Sequence, residues 1–253
     1  LDYIILDIEF NGRKFASELP MEVIEIGAVR LDSTLNHVDE FSSLIKPVYF
    51  SKLNSFIKKK TGIPQEEIDI ADGFPKVIGD FEDWLSRSDE FLLFTWGGED
   101  LKRIVFDTRM HKLDDSFWTG AYYYDLLKGY LRYKNVTNDV SVEAAVAELG
   151  IPAEGSAHRA LGDARMTAEV FRKVAEHLDL GLKQQFKDQF SNSKERRFVK
   201  NAVRMMRNQK KFQTWETFVE TFLGAKVDLT DEKKNAELKA YFESELEKIG
   251  TSL

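Results

Sequence analysis

Two acidic residues sit inside the most apolar stretch near the start of this 253-residue chain, Tyr3-Ile4-Ile5-Leu6-Asp7-Ile8-Glu9-Phe10. The stretch reads as a strand buried on both faces, because Ile4, Leu6, Ile8 and Phe10 alternate with Tyr3, Ile5, Asp7 and Glu9. Period-2 spacing sends the Asp7 and Glu9 carboxylates to the same face. Two like charges side by side in a buried strand are costly unless cations neutralise them. The feature therefore asks for a central strand, a cover over one sheet face, and a metal site at its end.

The rest of the chain supplies matching elements. Strands are expected over about 22–32 and 38–46, joined by short polar turns, which gives an antiparallel meander with the first strand. Helices are expected over about 53–60 and 75–87; in the second, Val77, Ile78, Phe81, Trp84 and Leu85 recur at helical spacing. Phe91–Trp96 is a fourth, very apolar strand that runs through Gly97-Gly98 into a helix near Asp100, and the tyrosines at 122–124 give a fifth strand. A short helix over 141–149 stops at Gly150 and Pro152. A helix starting near Asp163 carries an apolar stripe of Ala164, Ala168, Phe171, Ala175 and Leu178. The pattern predicts an α/β fold, a mixed β-sheet flanked by helices. An all-helical C-terminal extension follows, with residues 1–180 as the α/β domain and 181–253 as the extension.

Two further acidic residues and a histidine complete the candidate site. Asp100 falls where the fourth strand gives way to a helix, and Asp163 lies five residues after His158 in His158-Arg159-Ala160-Leu161-Gly162-Asp163. Glu99 beside Asp100 is a competing ligand; the strand-to-helix register favours Asp100. Phosphodiester hydrolysis must neutralise phosphate charge, generate hydroxide and stabilise a leaving alkoxide, and two divalent ions meet all three needs. Hard carboxylate oxygens suit Mg²⁺ or Mn²⁺. A histidine with an ordinary pKa near ~6.5 can take the proton of an attacking water. Each residue alone reads more simply, Asp100 and Asp163 as helix caps and His158 as a surface histidine. Their joint occurrence with Asp7 and Glu9 favours the site.

Charge is unevenly distributed. The net charge is −7, but residues 1–178 are net −10 and residues 179–253 net +3. In the tail, Arg197, Lys200, Arg204, Arg207 and Lys211 recur every three or four residues and so share one helix face, beside an apolar face that includes Val199, Val203 and Met206. Such a face can track a phosphate backbone or simply be solvated over a packed helix. The absence of cysteine excludes disulfides, thiolate zinc sites and cysteine nucleophiles. There is no run of about 18 apolar residues and no secretory signal, so a cytoplasmic protein with no membrane role is expected.

In combination and order, Asp-x-Glu in the first strand, Asp after the fourth, and His-x4-Asp at a late helix resemble the signature of DEDDh-type 3′→5′ exonucleases. These form part of the DnaQ-like branch of the ribonuclease-H-like fold. Glu22-Val23-Ile24-Glu25-Ile26-Gly27-Ala28-Val29, Thr61-Gly62-Ile63 and Thr95-Trp96-Gly97 resemble the subgroup of Eri-type exoribonucleases and the KapD sporulation inhibitor. The resemblance covers roughly residues 3–178. It implies that Asp7 bridges two metal ions, that Glu9 and Asp163 complete the nucleophile-side ion site, that Asp100 acts directly or through water, and that His158 is the general base. It also implies single-stranded nucleic-acid 3′ ends as substrate, RNA favoured over DNA, and nucleoside 5′-monophosphates as product. Phe10, Asn11 and Gly12 are expected at the terminal nucleotide, with Asn11 where many relatives carry Thr. Trp96, Arg204 and Arg207 are further expected substrate contacts. The alternatives are a non-catalytic nucleic-acid-binding module and a regulatory, sporulation-inhibitor-like protein. No motif reports the oligomeric state.

Overall fold

The computed structural model describes residues 1–11, 21–152, 158–208 and 214–250. They form two compact units, Leu1–Phe186 and Lys187–Leu253.

The first unit is built on a six-stranded sheet in the order β3-β2-β1-β4-β5-β6. Its strands are β1 (Asp2–Asn11), β2 (Glu22–Leu31), β3 (His37–Leu44), β4 (Phe91–Thr95), β5 (Tyr122–Asp125) and β6 (Gln184–Gln185). As the polar turns predict, β1, β2 and β3 form an antiparallel meander. β4 and β5 then add in parallel on the other side of β1, and β6 closes the edge antiparallel to β5. Because β6 pairs with β5, the first unit extends to Phe186, past the expected boundary at residue 180.

Among the described residues of this unit the α-helices are α1 (Ser55–Thr61), α2 (Gln65–Ile70), α3 (Phe74–Leu85), α4 (Glu99–Met110), α5 (Ser116–Gly120), α6 (Leu126–Lys134), α7 (Val142–Glu148) and α8 (Ala160–Val174). The alternation in β1 sorts the two sheet faces. Ile4, Leu6 and Ile8 enter a core with the predicted α3 stripe and with Leu101, Ile104 and Val105 of α4. Ile5 enters the opposite core with Val29, Phe94, Tyr130, Ala164, Ala168 and Phe171, under α6, α7 and α8. Asp7 and Glu9 share the Ile5 face by period 2, so they look toward α8. That helix opens at Ala160, three residues earlier than the sequence pattern places it, and Asp163 lies in its first turn.

Gly27 lets α8 reach the sheet. It pairs with Asp7 across the β1–β2 ladder. A Cβ at Gly27 would lie 2.1 Å from the Leu161 backbone nitrogen and 2.3 Å from the Ala160 carbonyl carbon. Only a hydrogen at this position allows the start of α8 to seat directly on β2, beside the two carboxylates.

The second unit is helical. α9 (Ser193–Asn208), α10 (Trp215–Phe218), which runs on into a π-helical turn, and α11 (Glu232–Gly250) pack around Val199, Val203, Met206, Trp215, Phe218, Leu238 and Phe242. Among the described residues no helix is long and apolar enough to cross a membrane.

Candidate active site

Carboxylates from two distant segments meet over the C-terminal half of β1. Carboxylate oxygens of Asp7, Glu9 and Asp163 all lie within 4.8 Å of one another. Asp100, second residue of α4, stands outside that trio but within electrostatic reach of Asp7 and Glu9. β4 pairs with β1 only as far as Ile5, which leaves the β1 edge open beyond it. Asp100 follows β4 at the start of α4, and the Ile8 backbone lies close enough to its carboxylate to favour the charged form. Glu99 is exposed and pairs with Lys102 and Arg103 instead.

Crowding and burial make ionisation of these groups costly. Burial, then repulsion from Asp100, Asp163 and Glu9, pushes Asp7 well above the usual carboxylate range. Burial pushes Asp100 up to about 7, against the donors at its own and the Ile8 backbone. Glu9 and Asp163 are also raised, chiefly by burial. A cluster of hard oxygen donors whose negative charges oppose one another fits a divalent cation. Asp7, Glu9 and Asp163 are the residues that would hold one, with Asp100 at its margin.

His158 stands two residues before the start of α8, with its backbone in the left-handed region at φ 68°. That is an uncommon conformation for a residue with a Cβ. Hydrogen bonds from His158 onward hold the turn. The His158 N–H donates to Asp163 Oδ1 at 3.2 Å. Arg159 forms a two-pronged pair with Glu25 (Nε and Nη2 at 3.0 and 2.7 Å from Oε1), and the Ala160 N–H donates to the same carboxylate at 3.1 Å. Glu25 is 1% exposed and lies directly across the ladder from Glu9. Each of these two opposed acids has its own cation: Arg159 holds Glu25, and Lys60 of α1 lies 3.4 Å from both Glu9 oxygens.

The expected substrate contacts divide. Asn11 is 2% exposed. Its amide nitrogen donates to the Phe50 and Lys52 carbonyls, and its oxygen accepts the Asn54 N–H. Its side chain is thus engaged by the 50–54 segment, which leaves its backbone to offer any nucleotide contact. Asn54 caps α1, so Asn11 acts on the site by setting the helix that carries Lys60. Phe10 is half-buried with the Arg103 guanidinium 5.4 Å from its ring centre. Trp96 is half-buried, donates to the Val140 carbonyl at 2.8 Å and packs on Tyr130. Gly12 lies outside the described residues, as does Lys211 of the basic row. Arg204 and Arg207 are exposed on α9 of the second unit.

The sequence reading missed Lys60, Arg159, Glu25 and Arg103. Glu25 carried the same signal as Asp7 and Glu9, an acid inside an apolar strand. Lys60 sits in a helix too short for periodicity to be informative.

The sheet order with its acidic centre defines a ribonuclease-H-like nuclease domain. The family model described as Exonuclease (RNase_T) matches residues 4–171, and the chain belongs to that family. The 3′-5′ exoribonuclease 1 of Mus musculus is 26% identical over 179 residues, covering 67% of this chain. The chain spans about half the length (52%) of that relative. Probable 3′-5′ exonuclease KapD of Bacillus subtilis (strain 168) is 28% identical over 189 residues, which cover 68% of this chain and 83% of KapD. The nuclease domain of 3′hExo, a DEDDh family member, shares the fold at a TM-score of 0.64 with 22% identity, over 74% of this chain and 97% of that one. The expected resemblance and fold class both hold.

Proposed function

We propose that the chain is a divalent-metal-dependent 3′→5′ exonuclease that releases nucleoside 5′-monophosphates from single-stranded nucleic acid, with RNA favoured over DNA. The observation that carries the reading is the meeting of Asp7, Glu9 and Asp163 within 4.8 Å. Asp7, Glu9, Asp163 and Asp100 would hold two Mg²⁺ or Mn²⁺ ions. Such ions supply positive charge against the scissile phosphate and ease ionisation of the attacking water.

The residues of the chain do the rest. His158 takes a proton at an imidazole nitrogen, from a turn held rigid by Asp163 and by the Arg159–Glu25 pair. Phe10 and Trp96 offer half-buried rings to the terminal bases, where stacking contributes ~1–3 kcal/mol per base. Lys60 places a cation beside Glu9, where it can meet a phosphate oxygen. The preference for RNA draws support from the exoribonuclease relative and from 3′hExo, whose nuclease domain was solved bound to rAMP. The residues needed for catalysis are all present, so the non-catalytic alternative has no observation in its favour.

Matched RNA and DNA oligomers incubated with and without Mg²⁺, with products read by mass spectrometry, test the proposal. Stepwise 3′ shortening with 5′-monophosphate release, abolished by Asp163→Ala, is the expected result. Release by the Asp163→Ala variant at the wild-type rate would refute it.

A further inference from the structure

The second unit lies outside the family match, which ends at residue 171. α9 turns Val199, Ala202, Val203 and Met206 into the core of this unit. Arg197, Lys200, Arg204 and Arg207 recur at spacings of three and four residues on its outer side, so they stack in one row along the helix. Lys200, Arg204, Arg207 and Asn208 line a groove of about 490 Å³, completed by Glu245 and Lys248 of α11.

The unit neutralises some of its cations and leaves others. Toward the start of α9, Arg196 pairs with Glu237 and Lys234 pairs with Glu195. In the groove, the Glu245 carboxylate is held by Lys248 at 2.6 Å. Among the described residues, no carboxylate lies within ion-pair distance of Lys200, Arg204 or Arg207. Three cations, Lys200, Arg204 and Arg207, thus line a groove whose one carboxylate, Glu245, is already paired with Lys248. A solvated structural face does not require this arrangement. Repulsion within such a row is relieved by a ligand that itself carries regularly spaced negative charge.

We propose that this groove is a nucleic-acid exosite, a second binding surface that grips the phosphate backbone of single-stranded substrate independently of the catalytic cluster. The inference rests on the reading of the chain as acting on nucleic acid. A single strand suits it because a row of separate guanidinium and ammonium groups follows a flexible backbone without reading bases.

The test is fluorescence anisotropy of the full chain with a labelled oligouridylate in EDTA, over a range of salt concentrations. Arg204→Ala/Arg207→Ala is expected to weaken binding roughly ten-fold or more at low salt. It should also reduce the slope of log K against log salt by about 1.4, at roughly 0.7 per lost phosphate contact. Arg204→Lys/Arg207→Lys, which keeps both charges, is expected to retain most of the affinity and the full slope. An unchanged affinity and slope in the alanine variant, with wild-type circular dichroism and melting, would overturn the proposal. So would binding of polyglutamate or phosphatidylserine vesicles that depends on these arginines while oligouridylate binding does not. The nuclease reading is tested separately. Arginine-dependent binding by a wild-type chain that releases no nucleotide supports the exosite and refutes the exonuclease.

Discussion

Asp7→Asn is expected to stabilise the metal-free protein while abolishing its response to metal. The three carboxylates of the cluster approach within 4.8 Å. At an effective dielectric of about 20, one such pair repels by roughly 3.5 kcal/mol. Asp7 faces two of these neighbours and Asp100 besides, but it relieves part of the repulsion by holding a proton, as its raised pKa indicates. A net gain of about 3 kcal/mol on replacing it with a neutral amide is therefore reasonable. For a unit of this size that corresponds to about 6–12 °C in melting temperature. The wild-type chain behaves in the opposite sense when Mg²⁺ is added. At a concentration of 100 times Kd, binding stabilises it by about 2.7 kcal/mol, and the variant gains nothing. Scanning calorimetry in EDTA and in Mg²⁺ reads both effects on one pair of proteins. A variant that melts at or below the wild-type temperature in EDTA would refute the argument that these charges are held together at the expense of stability. A variant that keeps the full Mg²⁺ shift would refute the assignment of Asp7 as a ligand.

Gly27→Ala should destabilise the first unit by roughly 1–3 kcal/mol, because its methyl group would meet the Leu161 backbone at 2.1 Å. The accompanying displacement of α8 should weaken Mg²⁺ binding, measured by titration calorimetry, although no ligand is altered. Arg159→Ala strands the buried Glu25 carboxylate and should cost about 3–5 kcal/mol. Glu25→Gln in the same chain should restore much of that loss in urea unfolding, and failure to do so would separate the two residues. Asp107 is 2% exposed, accepts the Val23 N–H at 2.7 Å, and is pushed by burial up to about 7. The native state then holds a proton that the unfolded chain has lost, so stability falls as pH rises between about 4 and 7, by up to roughly 4 kcal/mol. Asp107→Asn keeps an acceptor for Val23 and should flatten this slope, with the two proteins converging below pH 4.

What was legible in the sequence followed from strong periodicity. The alternation in β1 put Asp7 and Glu9 on one face, and the stripe of α8 brought Asp163 toward them. The α6 segment was not read as a helix, and Gly129 within it looks like a local weakness. In the fold that glycine is a close approach: a Cβ there would lie 2.8 Å from the Tyr124 ring and hydroxyl. Gly27 stands inside an apolar strand motif, and its role there has no local signature. Its partner is the backbone of Leu161, 134 residues away, and no local pattern reports a helix descending onto a strand.

The same distinction explains why the supporting residues were harder to find than the ligands. A carboxylate ligand announces itself as an acid in an apolar strand, because its burial is anomalous until a cation is supplied. Glu25 meets that criterion as fully as Glu9, yet its cation is the guanidinium of Arg159. Buried acids in this strand pair therefore have two different partners, and the sequence pattern does not distinguish them. The geometry does. Glu9 faces a cluster with Asp7 and Asp163, its cationic neighbour being the exposed Lys60 at 3.4 Å. Glu25 is closed off by a bidentate pair and a backbone N–H. Glu25 holds the turn that carries His158, while Asp7, Glu9 and Asp163 stay crowded together, the arrangement on which the proposed metal site rests. The chemistry is thus assigned by which charges the fold declines to neutralise, as it also is along the outer row of α9.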